Sequence, residues 1–265
     1  MKILFWLGIG FDRHGPSVHL LKAMIEESLV AGNQIVMIVR NTNGPDPDIP
    51  KELQKYDNLI CEVIEDKEQK KSALVRRYFE DILYFFRCKK ILKKHKDTDA
   101  VFVQSCTAPI FPVRIAHRIL KKPVLLNVQN IFPIDAMVLN KLPNRGFKGI
   151  AFKIFRKMQQ IAYKQCESIV TISEDMKETL VGEGVSPDKI RVIYNWSYND
   201  NANEIAEEDN LFLKDHENER DKFRVVFAGN LGAMVNADLI SQVAIRLKDE
   251  NGIQFVVIGD GNNMN

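Results

Sequence analysis

The chain of 265 residues is long enough for one large domain or two modest ones, and its 45% hydrophobic and 27% charged residues are typical of a globular protein with a substantial core. The net charge of +2 favours no particular partner, and four widely spaced cysteines, without a CxxC pair or a histidine at ligand spacing, argue against disulfides and a zinc site. Because no apolar run has the features of a signal sequence or the length of a bilayer span, we expect a cytoplasmic protein with reduced thiols and no metal.

The N-terminal segment carries the pattern of a strand, a loop, a helix and a second strand. Residues 2–10 are a continuous apolar run that ends in glycines, which indicates a strand buried on both faces. Apolar residues at helical spacing follow Pro16 and stop at Gly32, and residues 34–40 give the next strand. This order predicts a Rossmann-type unit.

The same alternation continues along the chain as far as residue 196. Further strands are predicted at residues 59–64, 100–104, 123–129, 168–172 and 190–194, and further helices at 72–96, 111–120, 146–166 and 173–182. After an acidic segment with few apolar residues, the chain gives a strand, a glycine turn, a helix and a strand. We therefore predict an α/β protein with a Rossmann-like domain over 1–197, an acidic linker over 198–222 and a partial second Rossmann-like domain over 223–265.

The loop after the first strand is one candidate site, because open α/β sheets bind ligands at the carboxyl ends of their strands. In a functional interpretation, Gly15 lets a sugar or phosphate approach the backbone, and Arg13, His14 and the Ser17 hydroxyl make polar contacts. In a structural interpretation, the loop only starts a helix and His14 is a solvated residue. The glycine spacing is not G-x-G-x-x-G, and Arg40 ends the second strand instead of an acid, so a dinucleotide site is not predicted.

A second candidate site follows the fifth predicted strand. Gln129 and Asn130 can hydrogen-bond sugar hydroxyls, but an amide cannot take a proton as a carboxylate does. Asp135 is the nearest candidate for a general base, and His14 is the corresponding candidate in the first loop. The alternative interpretation of Asp135 is an Asx-type turn beside the neighbouring proline.

The glycine turn of FRVVFAGNLG, residues 223–232, is a third candidate site. A buried strand, a tight glycine turn and a helix are the arrangement with which α/β proteins place backbone N–H groups against a phosphate. Gly229 and Gly232 flank Asn230 and permit close approach, and the following helix offers its positive end. The alternative is a purely structural turn between strand and helix.

Several segments together resemble the family 4 glycosyltransferases of GT-B architecture. TISEDMKETLVGEGVSPDKIRVIYNW is similar to the end of their first domain, and FAGNLG followed by FVVIGDG is similar to the start of their nucleotide-sugar domain. GIGFDRHGPSVHLLKAMIEESLVAGNQIVMIV looks like their glycine loop and first helix. NVQNIFP resembles an element of the branch that builds bacterial surface polysaccharides, which includes fucosaminyl transferases, although Asn130 and Ile134 replace the usual Asp and Glu.

The resemblance implies a retaining transferase that needs no metal and moves a sugar from a nucleotide-sugar donor to a glycan or polyprenyl-linked acceptor, with nucleic acid not an expected partner. Gly229, Asn230 and Gly232 would then lie against the donor diphosphate, and the loop of Gly15 and Ser17 would face the acceptor. The donor site would lie across a hinge near residue 196.

The family also uses an Arg/Lys pair and a Glu-rich motif late in its second domain, and neither occurs before Asn265. We therefore expect a chain that is truncated in its C-terminal domain and has an incomplete donor site. The alternative hypothesis is a truncated or split, non-catalytic chain that keeps the acceptor domain and needs a partner for the donor site. A GT-B-like epimerase is a more distant third possibility.

The helix predicted over residues 146–166 is basic and amphipathic, since residues 145–164 hold six Lys or Arg residues and no acid. Such a helix can lie on an anionic membrane, as a polyprenyl-linked acceptor at the inner face of the membrane would require. The alternative is a helix that packs on the sheet and keeps a solvated basic face.

Overall fold

The computed structural model describes residues 1–8, 10–11, 16–41, 49–65, 74–104, 108–138, 145–196, 205–215, 221–229, 231 and 235–259. The chain divides into two compact units, Met1–Tyr198 and Asn199–Asn265, which we name unit 1 and unit 2. Each unit contains a parallel sheet.

Unit 1 alternates strands and helices along its length. Its strands are β1 (Lys2–Trp6), β2 (Gln34–Asn41), β3 (Leu59–Glu65), β4 (Ala100–Gln104), β5 (Val124–Val128), β6 (Ser168–Thr171) and β7 (Ile190–Val192). Its helices are α1 (Pro16–Val30), α2 (Lys51–Gln54), α3 (Leu74–Arg87), α4 (Lys89–Lys94), α5 (Ile110–Ile119), α6 (Ile134–Val138), α7 (Gly146–Gln165) and α8 (Glu174–Gly182).

The seven strands of unit 1 form one parallel sheet in the order β3-β2-β1-β4-β5-β6-β7. The order reverses direction between β1 and β4, which is the topological switch point of a doubly wound sheet. The predicted α/β class with a Rossmann-like first domain is therefore confirmed. The carboxyl ends of β1 and β4 lie side by side at this switch point.

Two helical layers cover the sheet, and this explains why its strands read as continuous apolar runs. The layer of α1 and α2 packs over one face with side chains such as Phe5 and Met37. The layer of α3, α4, α5, α7 and α8 packs over the other face with side chains such as Leu4 and Val36. Neighbouring residues of one strand point to opposite faces, so both members of each pair must be apolar.

Three details of the helices differ from the sequence-based prediction. The single helix predicted over 72–96 is two helices, α3 and α4, on either side of Cys88. The backbone of Cys88 keeps helical angles, and its carbonyl accepts from the Leu92 N–H, so α4 continues almost directly from α3. The short helices α2 and α6 were not predicted, because segments of four and five residues are too short to show helical periodicity.

A cluster of charged side chains at the edge strand β3 makes unit 1 less stable at acid pH. Glu62 Oε1 lies 2.6 Å from Lys94 Nζ and 2.7 Å from His95 Nε2, and the His95 side chain is buried. Partial burial raises the pKa of Glu62, but the hydrogen bonds from Lys94 and His95 outweigh it, and the pKa lies below its ordinary value. Ionised Glu62 therefore stabilises the fold above the pKa of the unfolded chain, and this stabilisation disappears as the pH falls through the folded-state pKa.

We expect Glu62→Gln to lower the free energy of unfolding at neutral pH and to have a progressively smaller effect as the pH falls through the folded-state pKa of Glu62, where the wild type loses the charge as well. Urea titrations of both proteins at several pH values measure this difference. Glu178→Gln, at an exposed position of α8, is the matched control for the change from carboxyl to amide and should alter the free energy of unfolding much less. A constant difference between Glu62→Gln and the wild type over the whole acid range would contradict the prediction.

Unit 2 contains two parallel strands, β8 (Phe223–Ala228) and β9 (Ile253–Ile258), with α10 (Ala237–Arg246) between them in the chain. The short helix α9 (Leu211–Asp215) precedes them, inside the segment that the sequence predicts as a linker. Val226 and Ile258 are exposed, as are Leu239 and Ile245 of α10. Among the described residues of unit 2, only Leu231 is a buried hydrophobic residue. The described part of unit 2 therefore contains very little apolar core.

Candidate active site

The carboxyl ends of the unit 1 strands form one polar edge of the sheet, because all the strands are parallel. Gln104 is the last residue of β4, and Asn127 is the residue before the end of β5. Gln129 follows β5 directly, and Asn195 follows β7. Ligands of open α/β sheets bind at this edge, so these four side chains stand where a binding site is expected.

The four side chains are joined by hydrogen bonds into what we name the amide row. Asn127 Nδ2 donates to Gln104 Oε1 at 2.9 Å, and Gln129 Nε2 donates to Asn127 Oδ1 at 3.3 Å. Asn195 Nδ2 donates to Gln129 Oε1 at 3.2 Å. Gln104 and Asn127 are buried, Gln129 is half-buried and Asn195 is exposed. The row thus runs from the interior of the sheet to the surface of its carboxyl edge.

The amide row can bind a neutral polyol. A carboxamide has two N–H donors and an acceptor oxygen, so Gln129 and Asn195 have more hydrogen-bonding capacity than the row itself uses. Buried Gln104 holds the Asn127 side chain, and buried Asn127 in turn fixes the orientation of Gln129. This arrangement suits sugar hydroxyls, which both donate and accept, and it supplies no group that exchanges a proton near neutral pH.

A buried ion pair lies beside the switch point and fastens α3 to the sheet. Arg40, near the end of β2, donates from Nη1 to Asp81 Oδ1 of α3 at 2.6 Å, and both residues are buried. The Arg40 guanidinium also lies 5.0 Å from the centre of the Tyr84 ring. Gly8 follows β1 in the left-handed conformation with φ of 67°, and a Cβ there would lie 3.9 Å from the Tyr84 ring. The end of β1 thus turns directly over α3.

Asp135, the predicted candidate base, lies in the first turn of α6 and is half-buried. Burial raises the pKa of the Asp135 carboxyl, and a hydrogen bond with the backbone of Ile131 opposes this rise only in part. A raised pKa suits a general base, while the contact with Ile131 also suits the alternative interpretation as a turn-stabilising residue. Among the described residues, no hydrogen bond joins Asp135 to Gln129 or Asn130.

Several predicted site residues lie outside the described residues, namely Arg13, His14 and Gly15 of the first loop and Asn230 and Gly232 of the glycine turn. Ser17 lies in the first turn of α1, where only its backbone is described, and Asn130 is exposed next to Gln129. The structure therefore joins Gln129 to the amide row, and the roles of the other predicted residues remain predictions.

In unit 2 the two glycine-rich strand ends lie against each other. The Gly229 N–H donates to the Ile258 carbonyl at 2.9 Å, so it is already used in the pairing of β8 with β9. A Cβ built at Gly259 would collide with the carbonyl oxygen of Gly229, and Gly259 has a φ of 156°. Glycine at 259 is therefore required by a close approach of two backbones. A diphosphate at this turn would need N–H groups beyond Gly229.

The described thiols and acids give no support for other chemistry. Burial raises the pKa values of Cys61, Cys88 and Cys166 to about 12, so none of these free thiols is a nucleophile at neutral pH. No group of three or more His, Cys, Asp or Glu side chains gathers at metal-binding distance in the part of the chain that the structure describes. Ser173 caps the N-terminus of α8, since its Oγ accepts from the Met176 N–H at 3.1 Å.

Sequence reasoning did not identify Gln104 and Asn127, and it assigned Asn195 to the hinge. A usable signal was present, because AVFVQ and VLLNV each place one amide at or next to the end of an otherwise apolar strand. A buried amide is expensive unless it is hydrogen-bonded, so two amides on neighbouring strand ends predict a pair. That inference needs the order of β4 and β5 in the sheet, which the sequence alone did not supply.

Comparison with solved structures defines the class of the fold. The Anabaena HepE structure with UDP aligns with a TM-score of 0.56 at 14% identity, over 100% of this chain and 70% of that chain. A glycosyltransferase from Rickettsia africae aligns with a TM-score of 0.52 at 16% identity, over 99% of this chain and 69% of that one. A UDP-GlcNAc 2-epimerase from Neisseria meningitidis aligns with a TM-score of 0.51 at 12% identity, over 97% of this chain and 65% of that chain. The fold is that of the GT-B proteins.

The sequence then identifies the family within that class. The profile of Glycosyltransferase Family 4 matches residues 18–196, which is more than half of the chain and includes the whole amide row. The chain therefore belongs to Glycosyltransferase Family 4. A search of curated proteins found no significant match. None of the described helices is long and apolar enough to cross a membrane.

Proposed function

We propose that the chain transfers a sugar from a nucleotide-sugar donor to a glycan or lipid-linked acceptor. The observation that carries this proposal is the family match over residues 18–196, which coincides with a polar sheet edge in unit 1. HepE, a structural neighbour, was solved with UDP, with UDP and glucose, and with UDP-glucose, which supports a uridine nucleotide as the first donor to test.

The chemistry assigns different tasks to the two units. In unit 1, Gln129 and Asn195 bind acceptor hydroxyls, and Asp135 is the candidate that takes the proton from the attacking hydroxyl, with His14 as the second candidate. In unit 2, the glycine turn binds the donor diphosphate through backbone N–H groups and the positive end of the following helix. We further propose retention at the anomeric carbon and no metal cofactor, as the family resemblance implies.

The finer features of the proposal concern the acceptor and its location. The NVQNIFP segment supports an acceptor of the kind used in bacterial surface polysaccharides, carried on a polyprenyl lipid. Such an acceptor would place the protein at the cytoplasmic face of a membrane. The α7 helix is one candidate contact, since Lys153 and Lys157 are exposed on it beside Ile150 and Ile154.

The proposal is tested first by nucleotide binding and then by turnover. UDP and GDP are titrated into the chain by calorimetry, and UDP-sugars and GDP-sugars are then supplied with and without a polyprenyl-diphosphate saccharide while nucleotide release is followed. Sugar transfer by this chain alone predicts that one nucleotide binds and that its release from the sugar donor depends on the acceptor, whereas the incomplete donor site expected from the sequence predicts no nucleotide binding. Binding without any acceptor-dependent release, for every donor and acceptor tried, would count against sugar transfer.

The Gln129→Ala variant tests the role of the amide row. Removing this side chain is expected to lower kcat/KM for the acceptor by about 3- to 10-fold, because one neutral hydrogen bond contributes about 0.5–1.5 kcal/mol. Donor KM should be unchanged. Gln54→Ala removes an exposed amide of α2 that donates to the Ile49 carbonyl, and it should leave both constants unaltered. Equal acceptor kinetics for Gln129→Ala and wild type would remove Gln129 from the site.

A second candidate function is an acceptor-binding chain that needs a partner to complete the donor site. The exposure of Val226, Ile258 and the apolar residues of α10 favours this candidate, because strands of a parallel sheet are ordinarily covered on both faces. The same calorimetry separates the two candidates. The first expects UDP or GDP to bind to this chain alone, and the second expects nucleotide binding only after a partner is added.

A further inference from the structure

The α3 helix has two apolar stripes on opposite sides. Its inner stripe, which includes Tyr84 and Phe85, is buried against the sheet. Its outer stripe consists of Phe79, Leu83 and Phe86 at spacings of four and three residues, which places them on one side of the helix. These side chains are 61%, 63% and 43% exposed. The inner stripe is sufficient for packing, so the outer stripe needs a separate explanation.

A groove of about 530 Å³ begins at Phe86 and continues between α4, α5 and α7. Its floor is apolar, with Ile115 and Met158 among the residues that line it. The described residues that line it include four cationic side chains and no acidic one, the cations being Lys89, Lys93, Arg114 and Arg118. Lys89 Nζ lies 4.1 Å from the centre of the Phe86 ring, so the cationic and apolar parts of this surface are in direct contact.

The helices that surround the groove are rich in cationic residues. The sequences of α3, α4, α5 and α7 hold fourteen Lys or Arg residues and only two acids, Glu80 and Asp81. Asp81 is buried and paired with Arg40, so it does not neutralise the outer surface. By contrast, α1 and α2 on the other face hold two Lys residues and three acids. The chain as a whole carries only +2, so the positive charge is concentrated on one face of unit 1.

We propose that this face, formed by the outer stripe of α3 and the cationic groove, binds the surface of a lipid bilayer that contains anionic lipids. Phe79, Leu83 and Phe86 enter the boundary between headgroups and acyl chains. The cations of the groove then meet lipid phosphates, whose attraction falls off within a Debye length of the surface. A polar polyanion would leave the apolar stripe in water, and a second copy would bring two strongly positive faces together.

This inference rests on the proposed function and extends it, because a lipid-linked acceptor requires the protein to stay at a membrane. It differs from the contact through α7, because it assigns the binding to α3, α4 and α5. The binding itself is measured without sugar transfer, so the failure of one proposal can be told from the failure of the other.

Co-sedimentation with vesicles tests the proposal on the full chain. One vesicle population is pure phosphatidylcholine, and the other contains about 30% phosphatidylglycerol to supply negative charge. We expect binding to the anionic vesicles, little binding to the neutral ones, and loss of binding when salt is raised to about 0.5 M. Absence of binding to anionic vesicles at low salt would overturn the proposal, and so would equal binding to both populations.

Two double variants locate the contact, and each is compared with a control variant of the same kind on α7, which is the alternative contact. Phe79→Ser/Leu83→Ser is compared with Ile150→Ser/Ile154→Ser, whose side chains are 57% and 55% exposed. Lys93→Glu/Arg118→Glu is compared with Lys153→Glu/Lys157→Glu, which changes the net charge equally and also at exposed positions. We expect each first variant to weaken anionic vesicle binding about 10-fold or more and each control to change it much less.

Three results would overturn the assignment to this face. The first is an equal or larger loss of binding in the α7 controls, which would place the contact on α7. The second is concentration-dependent dimerisation of the wild type in sedimentation velocity that Phe79→Ser/Leu83→Ser removes, which would make the stripe an interface between copies. The third is unaltered vesicle binding by both first variants. Circular dichroism of each variant confirms that it is folded, and nucleotide binding should remain as in the wild type.

Discussion

Replacing Asp81 by Ala is expected to lower the free energy of unfolding by about 3–5 kcal/mol, because it leaves Arg40 as a buried charge without its carboxylate. The pair joins β2 to α3 with a distance of 2.6 Å between Arg40 Nη1 and Asp81 Oδ1. The loss combines the broken hydrogen bond with the unfavourable desolvation of the guanidinium. Urea denaturation followed by circular dichroism measures it, and the slope of the transition shows whether the comparison is two-state.

Two further variants show whether the lower stability of Asp81→Ala comes from the Arg40 charge that has lost the Asp81 carboxylate. Arg40→Met/Asp81→Leu replaces the pair by apolar side chains of similar size and should be markedly more stable than Asp81→Ala, as buried pairs elsewhere have shown. Lys177→Ala breaks the exposed pair with Glu174 and should change the free energy of unfolding by no more than about 1 kcal/mol. If the free energy of unfolding of Asp81→Ala lies within about 1 kcal/mol of the wild-type value, other contacts must stabilise Arg40.

The second large effect is expected when the two units are made separately. Residues 1–198 should fold alone with a cooperative urea transition, because the clusters on both faces of the seven-stranded sheet lie within this unit. Residues 199–265 should be largely unfolded alone, because the described residues of its two strands and of α10 bury almost no apolar side chain. Circular dichroism and urea titration of each fragment measure the difference.

Matched fragments make this test specific. A fragment that ends at residue 172, before α8 and β7, removes Leu180 and Ile190 from the core and should be less stable than 1–198. Adding 199–265 in trans should leave the transition of 1–198 unaltered if the units are energetically independent. A cooperative transition of 199–265 alone would contradict the prediction.

The fold could be read from the sequence because a sheet covered on both faces produces the strongest pattern available. Residues 3–6 of β1 and 35–39 of β2 are apolar without interruption, so strand identity did not depend on fine periodicity. The break between α3 and α4 could not be read, because Cys88 keeps helical backbone angles and the apolar spacing continues through it. Short helices such as α6 depend on tertiary packing, here with Phe152 of α7, and not on local propensity.

The site was only partly predictable, and the reason is the distance along the chain between its members. Gln129 was found because it follows an obvious strand. Its partners Asn127, Gln104 and Asn195 come from three different strand ends, the last of them 66 residues away. The Arg40–Asp81 pair has the same character, with 41 residues between its members. Hydrogen bonds between distant segments follow from strand order, which residue patterns alone do not specify.

The position of β1 in the sheet has a consequence for the order in which unit 1 can form. β1 lies between β2 and β4, and β4 follows β1 in the chain by almost one hundred residues. Lys2 also donates its backbone N–H to Asp99, 97 residues away. During synthesis, β1 and β2 can pair early, but the other edge of β1 must wait until β4 has emerged. Such high contact order predicts slow folding and a nascent chain with an apolar, unpaired strand edge, on a strand that the finished sheet pairs on both sides.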